Sequence, residues 1–237
     1  MTDIRWNLSS EGSLGPPRYR IGLVVRGMER PGVAPLLEGH ADCVLSTGEP
    51  VGFYADEAST SGSAELSSRG ATSTIVGSVY GYREMSVRRP HYVSGRSGGG
   101  FSISTLLAIE VSDDERGRFE RAWLAMRVNP GLFGIVGLNC ATHAGYAFSA
   151  AGLLTASSLF GGDRATREVR GPDTPTHLFL QLLSGPAHSR CAVYTGGISF
   201  TPGRSGGFDL AYTPLLSPGE VAELRAESAR RHAGRPR

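Results

Sequence analysis

The stretch GLNCATHAGYAF, residues 137 to 148, sets a cysteine in the first turn of a predicted helix and a histidine three positions after it. Asn139 stands where an N-cap belongs, because a side-chain oxygen there satisfies unpaired N–H groups of the first turn. The small residues of CATHAGYAFSAAGLL, 140 to 154, continue a helix that ends near Gly152. Cys140 then occupies the first helical position, where exposed N–H groups and the helix dipole favour the reactive thiolate. The same N–H groups suit the oxyanion of a tetrahedral intermediate, so Asn139 and Cys140 form a candidate cap and oxyanion site. Two rival readings stand beside a nucleophile. Cysteine is often only a small buried side chain, and Cys140, His143 and His40 are possible metal ligands, although no carboxylates stand by to orient them. His143, one turn along the same helix, is also a candidate base, provided its ring curls back toward the N-terminus.

Outward from this helix, Pro130 and Gly131 stop an earlier one, DDERGRFERAWLAMR at 113 to 127, which Ser112 caps. Its Phe119, Trp123 and Met126 recur at helical spacing and make a core-facing stripe. Upstream, YRIGLVVRG (19 to 27), TIVGSVYGY (74 to 82) and FSISTLLAIEVS (101 to 112) read as strands. HADCVLS (40 to 46) and VGFYAD (51 to 56) flank TGEP, a hairpin signal. His40 starts one arm of that hairpin, and Phe53, Tyr54 and Asp56 lie on or just past the other. Residues 1 to 18 read as a polar lead-in arm, and 58 to 73 as a long flexible loop. The connection from 83 to 100 ends in a mobile glycine run, Gly98 to Gly100, whose context does not fit a phosphate-binding loop. Downstream, a helix is expected at 175 to 185, a strand at 191 to 202, and a C-terminal helix opened by Ser217 and Pro218. The expected architecture is a single α+β domain: an arm at 1 to 18, a core at 19 to 155, and helices and strands at 156 to 237 that complete or cover a cleft.

The composition narrows function. Lys plus Arg number 24 against 22 acidic residues, a net charge of +2 that gives no broad positive surface, so no nucleic-acid partner is expected. Cys43, Cys140 and Cys191 are odd in number and contain no C-x-x-C pair, so neither zinc nor a thioredoxin-like site is expected, and Cys43 and Cys191 read as core. MTDIRWNLSSEG lacks a signal-peptide pattern, and no run of about 18 apolar residues is present. Synthesis in the cytoplasm is expected, with export by machinery that reads no N-terminal signal left open.

The order of Gly39–His40, a hairpin reading VGFY, an acidic helix with Trp123, then NPG and NCATHAGYAFSAAG resembles the circularly permuted branch of the papain-like, NlpC-type cysteine hydrolases. The resemblance spans roughly residues 19 to 155. It implies a mostly antiparallel sheet packed against the nucleophile helix, with Cys140 as nucleophile and His40 as general base. It also implies a third polar residue, on the strand after the histidine, that orients the imidazole. Asp56 fits that role as a carboxylate, with Tyr54 and His91 as alternatives. His143 departs from the family's apolar or aromatic position in the cleft wall. No cofactor is implied. The implied reaction is acyl transfer through a thioester, first on amide bonds of peptidoglycan stem peptides, as in antibacterial effectors of type VI secretion systems. Such a toxin acts in the target cell's periplasm and requires an immunity protein in the producer. Relatives that resemble lecithin:retinol acyltransferase act instead on phospholipid acyl chains, and LFGIVGL (132 to 138) then reads as a lipid-facing lip or, alternatively, a buried strand or loop. A catalytically idle binding domain of the same fold is the alternative outside enzymes.

Overall fold

Segments of extended chain form the centre of the molecule, and their alternation decides what lies on each side. The computed structural model describes residues 2–4, 6, 18–33, 39–56, 74–97, 100–134, 138–154, 174–204 and 206–214. In chain order the strands are β1 (Thr2–Ile4), β2 (Tyr19–Arg26), β3 (Ala41–Val44), β4 (Pro50–Ala55) and β5 (Thr74–Tyr80). Two short helices follow, α1 (Tyr82–Arg88) and α2 (Pro90–Ser94), then β6 (Arg96–Ser97), β7 (Gly100–Phe101), β8 (Ile103–Val111), α3 (Asp113–Val128), β9 (Leu132–Gly134) and α4 (Cys140–Ala150). The remainder is α5 (Pro175–Ser184), β10 (Cys191–Pro202) and β11 (Phe208–Pro214). Nine strands form one sheet in the order β1-β11-β10-β8-β2-β3-β4-β5-β9, with every neighbouring pair antiparallel, and β6 and β7 make a separate ribbon. The protein is thus α+β, and no described helix is long and apolar enough to cross a membrane.

In β2 the residues Ile21, Leu23 and Val25 face one way, into a core with Phe119 and Trp123 of α3, Phe148 of α4 and Phe179 of α5. Full burial of each such aromatic or aliphatic side chain stabilises the fold by roughly 1.5–3 kcal/mol. Val24 faces the opposite way, with Val44, Leu106, Ile198, Phe200, Leu210, Ile4 and Trp6. This second core exists because the sheet curls. The Phe208 N–H at the start of β11 reaches Thr47 O in the β3–β4 turn at 2.7 Å, and Trp6 Nε1–H donates to Leu45 O at 2.8 Å. Gly22 makes room for the crossing, since a Cβ there would lie 2.9 Å from the Trp6 ring and equally close to Leu106. A third, smaller cluster joins Tyr54 and Tyr80 to Met85 of α1 and Val93 of α2.

Several expectations change against this frame. Part of the lead-in arm is not an arm: Thr2–Ile4 pairs with β11 and both Ile4 and Trp6 are buried, because an apolar residue at each of those positions finds the inner face of the curl. The segment 83 to 100 contains α1 and α2, each too short for a helical period to show in sequence. Gly81 N–H donates to Glu84 Oε2 at 2.9 Å to start α1, and Pro90 at the first position starts α2. Leu132–Gly134, the first part of the proposed lip, is β9 on the edge of the sheet. β10 and β11, from the segment expected to complete or cover a cleft, belong to the same sheet as the core strands. The expected loop at 58 to 73, the tip of the glycine run at 98 and 99, and the C-terminal helix from Ser217 and Pro218 lie outside the described residues.

Candidate active site

Cys140 opens α4 because Asn139 closes its first turn. Asn139 Oδ1 accepts from the Thr142 N–H and from the Thr142 hydroxyl, both at 3.0 Å, while the Asn139 N–H reaches Thr142 Oγ1 at 3.4 Å. The cap satisfies the third N–H of the helix and leaves that of Cys140 without an intrahelical acceptor. Phe148 anchors the other end of α4 against Phe119, ring centroids 4.9 Å apart. The thiol is therefore set by a helix anchored in the first core rather than by a loop, and Cys140 is only 7% exposed.

The second contributor is the start of β3. On an extended chain residues two apart share a side, so His40 and Asp42 point together while Ala41 and Cys43 point into the helix-covered core. The Ala41 N–H donates to Cys140 Sγ at 3.4 Å. His40 lies beside Cys140, near enough for each to bias the charge of the other, and its Nε2 lies 2.8 Å from Asp42 Oδ1. With Nε2 committed to the carboxylate, Nδ1 is the ring nitrogen left for sulfur. Asp42 is fully buried, and its further partners come from neighbouring strands: Tyr54 Oη of β4 donates to Oδ1 at 2.5 Å, and Arg26 Nε of β2 donates to Oδ2 at 2.8 Å. Gly52, opposite Asp42 in the β3–β4 register, permits this approach, because a Cβ there would sit 2.2 Å from Asp42 Oδ1 and 2.9 Å from the Tyr54 ring. The His40 ring stacks on Tyr54 at 4.4 Å and faces Tyr92 of α2 at 5.6 Å.

Electrostatics follow from this packing. Burial works against charge on His40, but Cys140 and Asp42 outweigh it and hold the imidazole well above its usual pKa. Burial likewise opposes the Cys140 thiolate, yet His40 and the Ala41 N–H bring the thiol below its usual value. Asp42 is held down at about 2: desolvation pushes up, and His40, Arg26 and the hydroxyl of Tyr54 pull further down. Tyr54, buried beside that carboxylate, is pushed well above the ordinary tyrosine value. Both shifts favour the thiolate–imidazolium form of the pair over the neutral one.

Among the sequence candidates, Cys140 and His40 meet, whereas the orienting carboxylate is Asp42 and not Asp56. Asp56 follows the last residue of β4, where its N–H donates to Val76 O at 2.8 Å, and the ring nitrogen assigned to it is held by Asp42. Tyr54 does not take the role directly but braces both partners, stacking on His40 and bonding Asp42. His91 turns its ring edge-on to Tyr92, 4.4 Å away. His143 is no base for Cys140: its Nδ1 lies 2.9 Å from Asn139 O and its ring stacks on Phe53 at 3.5 Å. Burial keeps it below the usual histidine pKa although the Asn139 and Pro130 carbonyls pull the other way. Asn139 takes the cap position expected of it, its side-chain oxygen accepting from Thr142, and the backbone N–H of Cys140 has no acceptor within the helix. Cys43 is buried as expected and Cys191 is half-buried, its thiol on Ala187 O at 3.2 Å. Among the described residues no group of three or more His, Cys, Asp or Glu side chains is placed to hold a metal ion. Asp42, Arg26 and Tyr92 were missed, and the signal for the first was present: the His40-Ala41-Asp42 alternation puts a carboxylate on the imidazole's own side.

No protein-family model, curated protein or solved structure matches the chain.

Proposed function

We propose that this chain is a cysteine hydrolase working through Cys140, His40 and Asp42, in the circularly permuted papain-like arrangement that its sequence resembles. The observation that carries the proposal is the thiol at the start of a capped helix, beside an imidazole whose Nε2 rests on a buried carboxylate. Cys140 Sγ attacks an acyl carbonyl, and the Cys140 N–H receives the developing oxyanion. The His40 imidazolium gives its proton to the leaving amine, and a thioester remains. Neutral His40 then takes a proton from water, the hydroxyl adds to the thioester, and the thiolate leaves as the acid is released. Asp42 stays ionised and holds the ring through both steps.

The proposed substrate is the peptide amide of peptidoglycan, and with it come an effector role, delivery by a type VI system to the target periplasm, and an immunity protein. The test is a mass-spectrometric comparison of wild type, Cys140→Ala and His40→Ala incubated with purified peptidoglycan and, separately, with phospholipid vesicles. New muropeptides from wild type alone are the expected result; intact peptidoglycan removes the amidase proposal. One feature favours the lipid reading as second choice. Val76 and Leu132, directly opposed across β5 and β9, are 49% and 51% exposed, and Leu138, next to the cap residue, is 41% exposed. Lysophospholipid from wild type alone moves the function there. If neither substrate changes and Cys140 labels no faster than an ordinary thiol, an idle binding domain remains.

A further inference from the structure

The series of neighbouring groups that begins at Cys140 and His40 does not stop at Asp42. Arg26, the last residue of β2, carries it one group further, and its side chain is only 5% exposed. The guanidinium spends one donor, Nε, on Asp42 Oδ2; it lies 4.7 Å from the Tyr92 ring centroid and 6.0 Å from that of Phe200. Nη2 is buried without a hydrogen-bond partner, and so is the hydroxyl of Ser104, directly opposite on β8. As a device for stability this is poor. A buried ion pair is often no better than apolar packing of the same volume, and an orphaned buried donor is destabilising.

As a device for the nucleophile pair the same arrangement makes sense. With Arg26 on Oδ2, Oδ1 is left to face His40 Nε2 and Tyr54 Oη. The enclosed charges then alternate: thiolate, imidazolium, carboxylate, guanidinium, summing to zero. Without the guanidinium the cluster holds a net negative charge, which the Cys140 thiolate relieves by taking a proton. We infer that Arg26 is a positioning residue for the Cys140–His40 pair, orienting Asp42 and balancing the buried charge so that the thiolate persists into more acidic solution. The inference rests on Cys140 and His40 being the reactive pair of the proposed hydrolase.

The other groups around the cluster do not supply that charge. Tyr54 of β4 and Cys43 of β3 are both pushed up by burial and by Asp42, so they stay neutral. His91 of α2 is kept below its usual value by burial, then by Arg26 and Arg89, and is neutral near pH 7. Tyr92 meets Arg26 with its ring face. Arg89, between α1 and α2, is a further cation whose field reaches His91. Arg26 and His40 are the cations hydrogen-bonded to the carboxylate.

The experiment is the pH dependence of Cys140 alkylation by iodoacetamide, read by mass spectrometry on the Cys140 peptide, with circular dichroism to confirm folding. It uses wild type, Arg26→Lys, Arg26→Met, Asp42→Asn and the double variant Arg26→Met/Asp42→Asn. Loss of the Arg26 charge is read twice, Arg26→Met against wild type and the double variant against Asp42→Asn, so one comparison survives if the other protein fails to fold. In each, the acid limb of the profile is expected to rise by about one pH unit, roughly a tenfold slower alkylation on that limb. Arg26→Lys, which keeps the charge, should leave the limb within a few tenths of a unit of wild type. Folded variants whose acid limbs coincide with their parents overturn the Arg26 inference alone. A wild-type Cys140 that titrates like an ordinary thiol overturns it together with the nucleophile pair.

Discussion

α3 and α4 begin with the same local chemistry and put it to different uses. Each has a capping box, Ser112 with Glu115 in α3 and Asn139 with Thr142 in α4. The first turn of α3 then holds Asp113, Asp114 and Glu115, carboxylates that answer the positive end of the helix and are themselves paired, Glu115 with both terminal nitrogens of Arg190 at 2.8 and 2.9 Å. The first turn of α4 holds no acidic residue. The group it offers to that field is the Cys140 thiol, which His40, from another element, helps to hold below its usual pKa. A helix start that carries its own acids answers its own dipole, and one without them leaves that field to the side chain at its first position.

The comparison breaks most sharply at the thiol itself. Cys140→Ala should abolish turnover, and His40→Ala should slow Cys140 alkylation at pH 6 by about ten- to a thousandfold, since an opposite charge at this range shifts a pKa by roughly 1–3 units; equal labelling in wild type and variant would contradict the ion pair. Next comes a change that touches neither catalytic group. Gly52→Ala drives a Cβ into Asp42 Oδ1 and the Tyr54 ring, and we expect a drop in Tm together with several-fold slower alkylation. The caps sharpen the contrast at smaller cost. Asn139→Ala and Ser112→Ala should each lose about 1 kcal/mol of stability by chemical denaturation, but only the Asn139 change should also slow alkylation. If both or neither alter thiol reactivity, the two helix starts are not functionally distinct. The smallest effect belongs to the ion pair of α3. Arg190's hydrogen bonds, against the pull of burial, hold Glu115 at about 2, so its contribution is present above the unfolded carboxylate pKa and fades as pH falls toward 2. Arg190→Met should therefore lower Tm slightly at pH 7, by a few degrees at most, and have no effect at pH 2, with alkylation unchanged throughout.

The parts of this arrangement legible in sequence are those set by local rules. Asn139 before Cys140, Ser112 before three acids, the Phe119–Trp123–Met126 stripe and the TGEP turn each announce their element within a few residues. His40 was reachable through the hairpin. Asp42 was overlooked because the orienting residue was sought on the following strand, whereas the period of two already placed it beside His40. Arg26 left no such signal: its position opposite Ser104 and next to Asp42 depends on how β2 registers with β3 and β8, which is a property of the assembled sheet. The curl that buries Ile4 and Trp6 is equally non-local, and α1 and α2 are too short for periodicity to declare them.

That curl also bears on the order in which the sheet assembles. β1 is paired with β11, Thr2 lying opposite Tyr212, so this ladder joins the first and last described strands. Loop-closure entropy makes so distant a pairing slow compared with the hairpin from β3 to β4. Until β11 is in place β1 lacks its partner strand, while the helix carrying Cys140 and the strand carrying Asp42 are already available to each other. The candidate site can therefore come together before the outer edge of the sheet is sealed.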